Sequence, residues 1–396
     1  MTAVVDTRMR AARWALTVVF AADGMVFATW SSRLPQVQHA VHADNSMLGI
    51  ALLGTAIGAL IAMPTIGRVC RHIRPRVVAL TALGALAGSM LLPGLAGSPV
   101  SLLVVLLAFG AAYGSVDVSM NSAAVDLGEE INRPILPTFH SAYSLGGLVG
   151  AGAGSLAAAG SVPVELHFAV VAAVTVGCLL VALRPLSAWP ERVSARHGDD
   201  RPARRSMTVR QALPILLVAA VLTFGSAFGE STTANWAGIH LTQQAHAAAS
   251  LAPLAFGAFS LAQAVVRAGG ARLTERFGPR RVVAAGALLA SCGFAVTLTP
   301  AVLPALFGYL VVGIGLSCIF PLGTAYAGET AGSVGVSVSS SVGYAGVLLG
   351  PPLVGLLAGV TSLTTALTVP LILALIILAV ATRLPGTATR PADEPG

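Results

Sequence analysis

Apolar runs long enough to cross a bilayer, which takes about 20 residues, recur along the whole chain with only short breaks of Gly, Pro and Arg between them. Six are predicted at 13–35, 47–69, 76–96, 100–125, 136–159 and 165–185. Six more follow at 211–237, 248–271, 281–299, 302–326, 333–359 and 363–384. Of the 396 residues, 55% are hydrophobic and 10% charged, where a soluble domain carries roughly 25% charge. Too few polar groups remain to cover a globule in water, so the solvent is lipid. In lipid each segment must satisfy its own backbone N–H and C=O groups, which makes the runs helices. The expected fold class is an all-α polytopic membrane protein with twelve transmembrane helices.

The net charge is +7, and all 23 basic residues are Arg. Nineteen of them gather in Arg8–Arg13, Arg68–Arg76, Arg184–Arg210 and Arg267–Arg281, while the loops near 36–46, 94–100, 160–165, 240–250 and 299–304 have none. Basic loops alternating with Arg-free loops follow the positive-inside rule and place both termini in the cytoplasm. Within the Arg clusters the only Phe, Trp or Tyr residues are Trp189 and Phe277, too few for the aromatic-basic interleaving of a nucleic-acid site, so no nucleic-acid partner is expected. Cys70, Cys178, Cys292 and Cys318 lack paired spacing and read as small core residues. No metal or cofactor is expected. The chain lacks H-E-x-x-H, G-x-S-x-G and G-x-x-x-x-G-K-[ST] motifs, which argues against an enzyme and against ATP hydrolysis. The opening "RMRAARWALTVVFAADG" imitates a signal peptide, but eleven runs follow it and Arg33 closes the same segment. It is read as a retained first helix.

The two sets of six echo each other. "RHIRPRVVALTALGAL" from Arg71 faces "ERFGPRRVVAAGALLA" from Glu275, and "FATWSS" around Trp30 faces "TANWAG" around Trp236. "GGLVGAGAG" in helix 5 faces "GYAGVLLGPPLVG" in helix 11. Internal repeats of this kind are common among transporters. The predicted organisation is two pseudo-symmetric six-helix halves, 1–185 and 211–384, joined by a cytoplasmic linker at 186–210 and followed by a cytoplasmic tail at 385–396.

On these residues the chain resembles the major facilitator superfamily, whose members carry G-x-x-x-D-R-x-G-R-R between helices 2 and 3 and often again between 8 and 9. The second copy here has Glu275, Arg276, Gly278 and Arg280, whereas the first keeps Gly67 and Arg76 but has Arg71 in place of the acid. The resemblance implies a cytoplasmic gate that closes in the outward-open state, with Glu275 carrying the acidic role alone. "ATWSSRLP", "DVSMN" and "FHSAYSLGG" are similar to a bacterial inner-membrane branch related to sugar–proton symporters. A secondary active transporter of the bacterial plasma membrane is implied. It would move a small organic solute, sugar-like or otherwise polar, by alternating access with protons, as a monomer in the lipid bilayer. The alternatives are proton antiport of drugs or hydrophobic metabolites, and a non-transporting receptor of the same fold.

An ionised Asp at a helix centre costs about 2.5–3.5 kcal/mol on insertion scales, so acids inside the spans mark function. Asp117 and Asn121 share one face of helix 4 at i, i+4, with Gly110 and Gly114 on the same stripe. His140 begins a second polar face on helix 5. Asp117 and His140 are expected to form a protonation relay, the alternative being a hydrogen-bonded clamp between helices worth about 0.6 kcal/mol. Asp23, Phe27 and Trp30 put an acid and two aromatic rings on one face of helix 1, suited to a sugar-like solute. The resemblance adds that related symporters carry one acid in helix 1 and one in helix 4, which Asp23 and Asp117 match. Glu230, Asn235 and Trp236 of helix 7 are expected to complete the cavity. Arg33 and Glu230 are expected to meet in an extracellular gate, unless Arg33 snorkels to the interface. Snorkelling is also the reading for Arg267, and core packing for Tyr309, Ser317 and Tyr326.

Overall fold

The computed structural model describes residues 2–131, 135–187, 189 and 209–384; most of the expected linker and all of the expected tail lie outside them. The described residues are helical almost throughout, without a strand. In one half lie α1 (Thr2–Ala40), α2 (Asn45–Val69), α3 (Pro75–Ser89), α4 (Pro99–Glu130), α5 (Leu136–Ala159) and α6 (Val164–Ser187). The other holds α7 (Val209–Gln243), α8 (Ala252–Phe277), α9 (Pro279–Thr297), α10 (Val302–Leu316), α11 (Ile319–Val360), α12 (Leu363–Ala366) and α13 (Thr368–Val380). Eleven described stretches are long and apolar enough to cross a membrane, and α5, 24 residues long, adds the remaining antiparallel member. This is the all-α polytopic architecture that the apolar runs demanded.

Local chemistry sets the helix ends. The Asp44 side chain accepts from Met47 N at 2.7 Å to start α2, and Ser98 and Ser101 form a reciprocal capping box ahead of α4. Pro75, Pro99 and Pro279 open their helices, where a missing N–H costs nothing. Gly278 separates α8 from α9 at φ 80°, a conformation that only glycine adopts cheaply. The turns after α1 and α7 pass through His42 and His246, both left-handed at φ 54° and 52°, so the duplication persists in the backbone.

Helices 10 and 11 depart from the expected 302–326 and 333–359. Pro321 has no N–H for the Ser317 carbonyl four residues earlier. The helix breaks at Ser317 and Cys318, and bonding resumes from Leu322 N to Cys318 O at 3.2 Å. Beyond the break, α11 runs as one helical stretch to Val360. Within it Gly335 packs directly on the Ala327 carbonyl, although eight residues span about 12 Å in a straight helix. The backbone therefore reverses there, and Val302–Glu329 and Val338–Val360 form separate spans.

Small residues let the helices approach closely. Gly110 lies on the backbone of Thr55, and Gly114 on Ala59 and Met63, so the glycine stripe of α4 faces α2. Between the halves, a Cβ on Gly49 of α2 would come within 2.8 Å of the Gly355 Cα of α11.

Candidate functional site

Between the two halves lies a cavity of about 660 Å³, within the range that holds a small organic ligand. Its walls come from α1, α2, α4 and α5 on one side and α7, α8 and α11 on the other. At the end away from the termini the halves are sealed. Ser31 Oγ donates to the Ala234 carbonyl, and Ser155 Oγ to the Ser250 carbonyl at 2.5 Å. Gln38, Asn45 and Gln243 join their amides at 2.9 to 3.3 Å.

In the wall of the first half, Asp117 Oδ2 accepts from the Tyr344 hydroxyl of α11 at 2.9 Å, a bond that crosses the halves. Asp117 Oδ1 accepts from Asn121 Nδ2 at 3.1 Å, and the same amide reaches the Asp117 carbonyl at 2.7 Å. The i, i+4 spacing thus makes Asn121 a support for Asp117. His140 lines the same cavity, its ring edge-on to Phe20 at 5.6 Å. Among the described residues no hydrogen bond joins it to Asp117. Phe27 and Trp30 also line the wall. Phe27 stacks on Tyr113 at 5.3 Å, and Trp30 packs between Phe109 and Phe168.

Asp23 is placed otherwise than expected. It is 0% exposed, both carboxylate oxygens lack a partner, and it is not part of the cavity wall. Gly24 rests on the Tyr143 carbonyl and Gly146 on Ala21, so close packing of α1 on α5 turns Asp23 inward. Tyr113 and Tyr143, whose hydroxyls meet at 3.0 Å, line the cavity.

Across the cavity, Glu230 Oε1 pairs with Arg267 Nη2 at 2.8 Å, and Arg267 Nε donates to the Ser317 carbonyl at 3.0 Å. That carbonyl is the one Pro321 leaves without a donor. The same device recurs at Pro351: Ser231 Oγ donates at 2.8 Å to Val347 O, four residues before it. Instead of snorkelling to the interface, Arg267 is held at the cavity wall by a freed backbone carbonyl and a carboxylate.

The expected pairing of Arg33 with Glu230 does not form. Arg33 is 3% exposed, and its Nη2 donates to Val162 O at 2.6 Å in the turn before α6. It lies ten residues beyond Asp23 along α1, about 15 Å of helix. Trp236 is also off the wall: it is fully buried and its Nε1 donates to the Pro351 carbonyl at 3.0 Å. Asn235 is on the wall, its amide donating to Ser231 O at 2.8 Å. Glu275, Arg276 and Arg280 are exposed around Gly278, and Glu275 makes no ion pair among the described residues. Tyr309 is core, as expected, with its hydroxyl 3.2 Å from His240 Nδ1.

The reading of polar residues by helix face missed Tyr113, Tyr143 and Tyr344, and misplaced Arg267. A signal for Arg267 was present: Pro321 strands a carbonyl in mid-span, and a donor had to come from another helix. No group of three His, Cys, Asp or Glu able to hold a metal occurs among the described residues.

The sequence profile of the Major Facilitator Superfamily matches residues 15–233 and 219–396. An uncharacterized transporter of Sinorhizobium fredii is 29% identical over 344 residues, covering 85% of this chain and 88% of that one. An uncharacterized MFS-type transporter of Yersinia pestis is 29% identical over 343 residues, 85% and 86% of the two chains. Among solved structures, the nucleoside transporter NupG superposes with a TM-score of 0.74 at 12% identity, over 94% of this chain and 99% of that one. A bacterial homologue of the human lysosomal transporter Spinster gives 0.73 at 14% identity, over 94% and 96%. The chain belongs to the Major Facilitator Superfamily and is a membrane transporter of that type.

Proposed function

We propose that the protein is a secondary active transporter that carries a small polar organic solute across a bacterial plasma membrane by alternating access, driven by the proton gradient. The Arg-bearing turns at 68–76 and 267–281 lie at the end of the helices where α1 begins, which supports a cytoplasmic placement of that end. The sealed end then faces outward, and the conformation is inward-facing.

The observation that carries the reading is the bond from Tyr344 to Asp117. A titratable carboxylate at the cavity wall of one half accepts a hydrogen bond from the other half. A bond to an ionised acceptor is roughly twice as strong as one between neutral groups. Protonation of Asp117 weakens this contact between the halves, so proton occupancy and the relative position of the halves are thermodynamically linked. His140, on the same wall, passes the proton between cavity water and Asp117. Asp23, buried and off the cavity wall, is a further proton-holding group rather than a solute contact. Phe27, Trp30, Asn121 and Asn235 offer ring faces and amides to the solute. Both halves of the cavity come from one chain, in keeping with a monomer that needs solute, protons and lipid alone. Glu275, Arg276, Gly278 and Arg280 form the gate that closes the cytoplasmic end in the opposite state.

The test is reconstitution into liposomes with an imposed pH gradient, after a stability screen has supplied a solute. Accumulation that collapses when a protonophore dissipates the gradient supports the reading. Accumulation indifferent to the protonophore overturns it.

A further inference from the structure

On α8, one turn apart, Gln263 and Arg267 both face the cavity. Gln263 is 7% exposed, and its Nε2 has no acceptor. Arg267 gives Nε to Ser317 O at 3.0 Å and Nη2 to Glu230 at 2.8 Å. A guanidinium carries five N–H donors, so the others remain uncommitted at the wall. The two commitments differ in kind. Pro321 withholds any helical donor from the Ser317 carbonyl permanently, which fixes the guanidinium in place. Glu230 is held through one oxygen only and is the movable partner.

Resting on the transport reading above, we infer that the solute carries a carboxylate that docks on Arg267 and the Gln263 amide, and that Glu230, displaced from Arg267, takes up a proton. A fixed fork with spare donors and an adjacent unpartnered amide matches a planar two-oxygen anion. Once the solute holds Arg267, Glu230 has no cation. The other titratable groups lining the cavity with the pair are Asp117 and Tyr113 of α4, His140 and Tyr143 of α5 and Tyr344 of α11. Displaced from Arg267, the part-exposed Glu230 carboxylate lies beside the bound anion, and a neighbouring like charge disfavours its ionised form. The proton comes from cavity water and forms an O–H bond on the Glu230 carboxylate, so one proton enters with each solute carboxylate and the net charge of the bound site is unchanged. This proton site is separate from Asp117.

Calorimetry on the full chain in nanodiscs, between pH 6 and 8, tests the inference with three matched pairs: lactate and lactamide, benzoate and benzamide, glucuronate and glucose. At least one acid binds, and its neutral match binds at least tenfold more weakly. The affinity for the acid rises about tenfold for each unit that the pH falls, the slope of one linked proton. Glu230→Gln removes that slope and binds at pH 8 as tightly as the unaltered chain binds at pH 6. Arg267→Lys, which keeps the charge and loses the fork, weakens binding about tenfold. If Glu230→Gln does not fold, titration of the unaltered chain in two buffers of different ionisation enthalpy counts the proton directly, one per acid bound. The inference falls if none of the acids binds, if a neutral match binds as well as its acid, if no proton is taken up, or if His140→Asn removes the slope and Glu230→Gln leaves it. Uptake of glucose driven by a pH gradient would sink this inference and leave the transport reading intact. Proton-linked acid binding without gradient-driven accumulation would do the reverse.

Discussion

The two walls of the cavity come from duplicated halves, yet their chemistry differs. The first half holds Asp117, His140 and the sealed Asp23, and the carboxylate of Asp117 meets hydroxyl and amide donors, not a cation. In the second, Glu230 is neutralised by Arg267, and Arg267 is anchored to a backbone carbonyl. An acid met only by neutral donors exchanges a proton at low cost, whereas an acid paired with a fixed cation holds its charge until a competing anion arrives. Duplication supplied two similar scaffolds, visible in the paired turns at His42 and His246. Substitution within them gave one wall a carboxylate held by neutral donors and the other an ion pair anchored to the backbone.

The largest effect that would break this division is expected at Asp117. Asp117→Asn should abolish gradient-driven accumulation while leaving solute counterflow, read in the same liposomes. Normal accumulation in Asp117→Asn would reverse the assignment of the walls.

Next comes the ion pair. Arg267→Met strands both Glu230 and the Ser317 carbonyl, and should lower stability by roughly 2–3 kcal/mol. That is below the 3–5 kcal/mol of a fully buried pair, because the cavity partly solvates it. Adding Glu230→Leu should recover most of the loss in a thermal melt, since no unpaired charge remains. An additive double variant would mean that the pair is not coupled.

The seal between the walls gives a smaller response. In Gly49→Leu the new side chain collides with the Gly355 backbone and should favour the outward-open state. A thiol at Asn235→Cys, in a chain freed of its native cysteines, should then react roughly tenfold faster from outside, the response to about 1.4 kcal/mol of bias between the states. An unchanged rate would mean that the halves do not close along α2 and α11.

Smallest is Asp23→Asn, which replaces a sealed, partnerless carboxyl with a neutral amide. One partnerless polar group replaces another, so stability within about 1 kcal/mol of the unaltered chain and unchanged solute affinity are expected. Weakened affinity would return Asp23 to the cavity wall.

How legible the molecule was in its sequence follows from the range of the interactions involved. The apolar runs fixed the helices because lipid leaves the backbone no other partner, and the alternation of Arg marked which ends share a side. Asp117 and Asn121 were legible as a pair because i, i+4 geometry is local, and they bond as that spacing implies. The partners of Asp117 and Arg267 lie in distant segments: Tyr344 is 227 positions from Asp117 and Glu230 is 37 from Arg267. No helical period links such residues. Asp23 looked like a lining residue from its stripe with Phe27 and Trp30, but a glycine contact between α1 and α5 turned it inward.

By itself the sequence determined the solvent, the number and direction of the helices, the internal repeat and the acids that need explaining. These are set by transfer energies and by helical spacing, both readable one segment at a time. Tertiary structure alone decided which acid lines the cavity, which is neutralised by an arginine, and which is buried off the wall. Those outcomes depend on the rotation of each helix about its axis, and that rotation is chosen by close packing against neighbours far away in the chain.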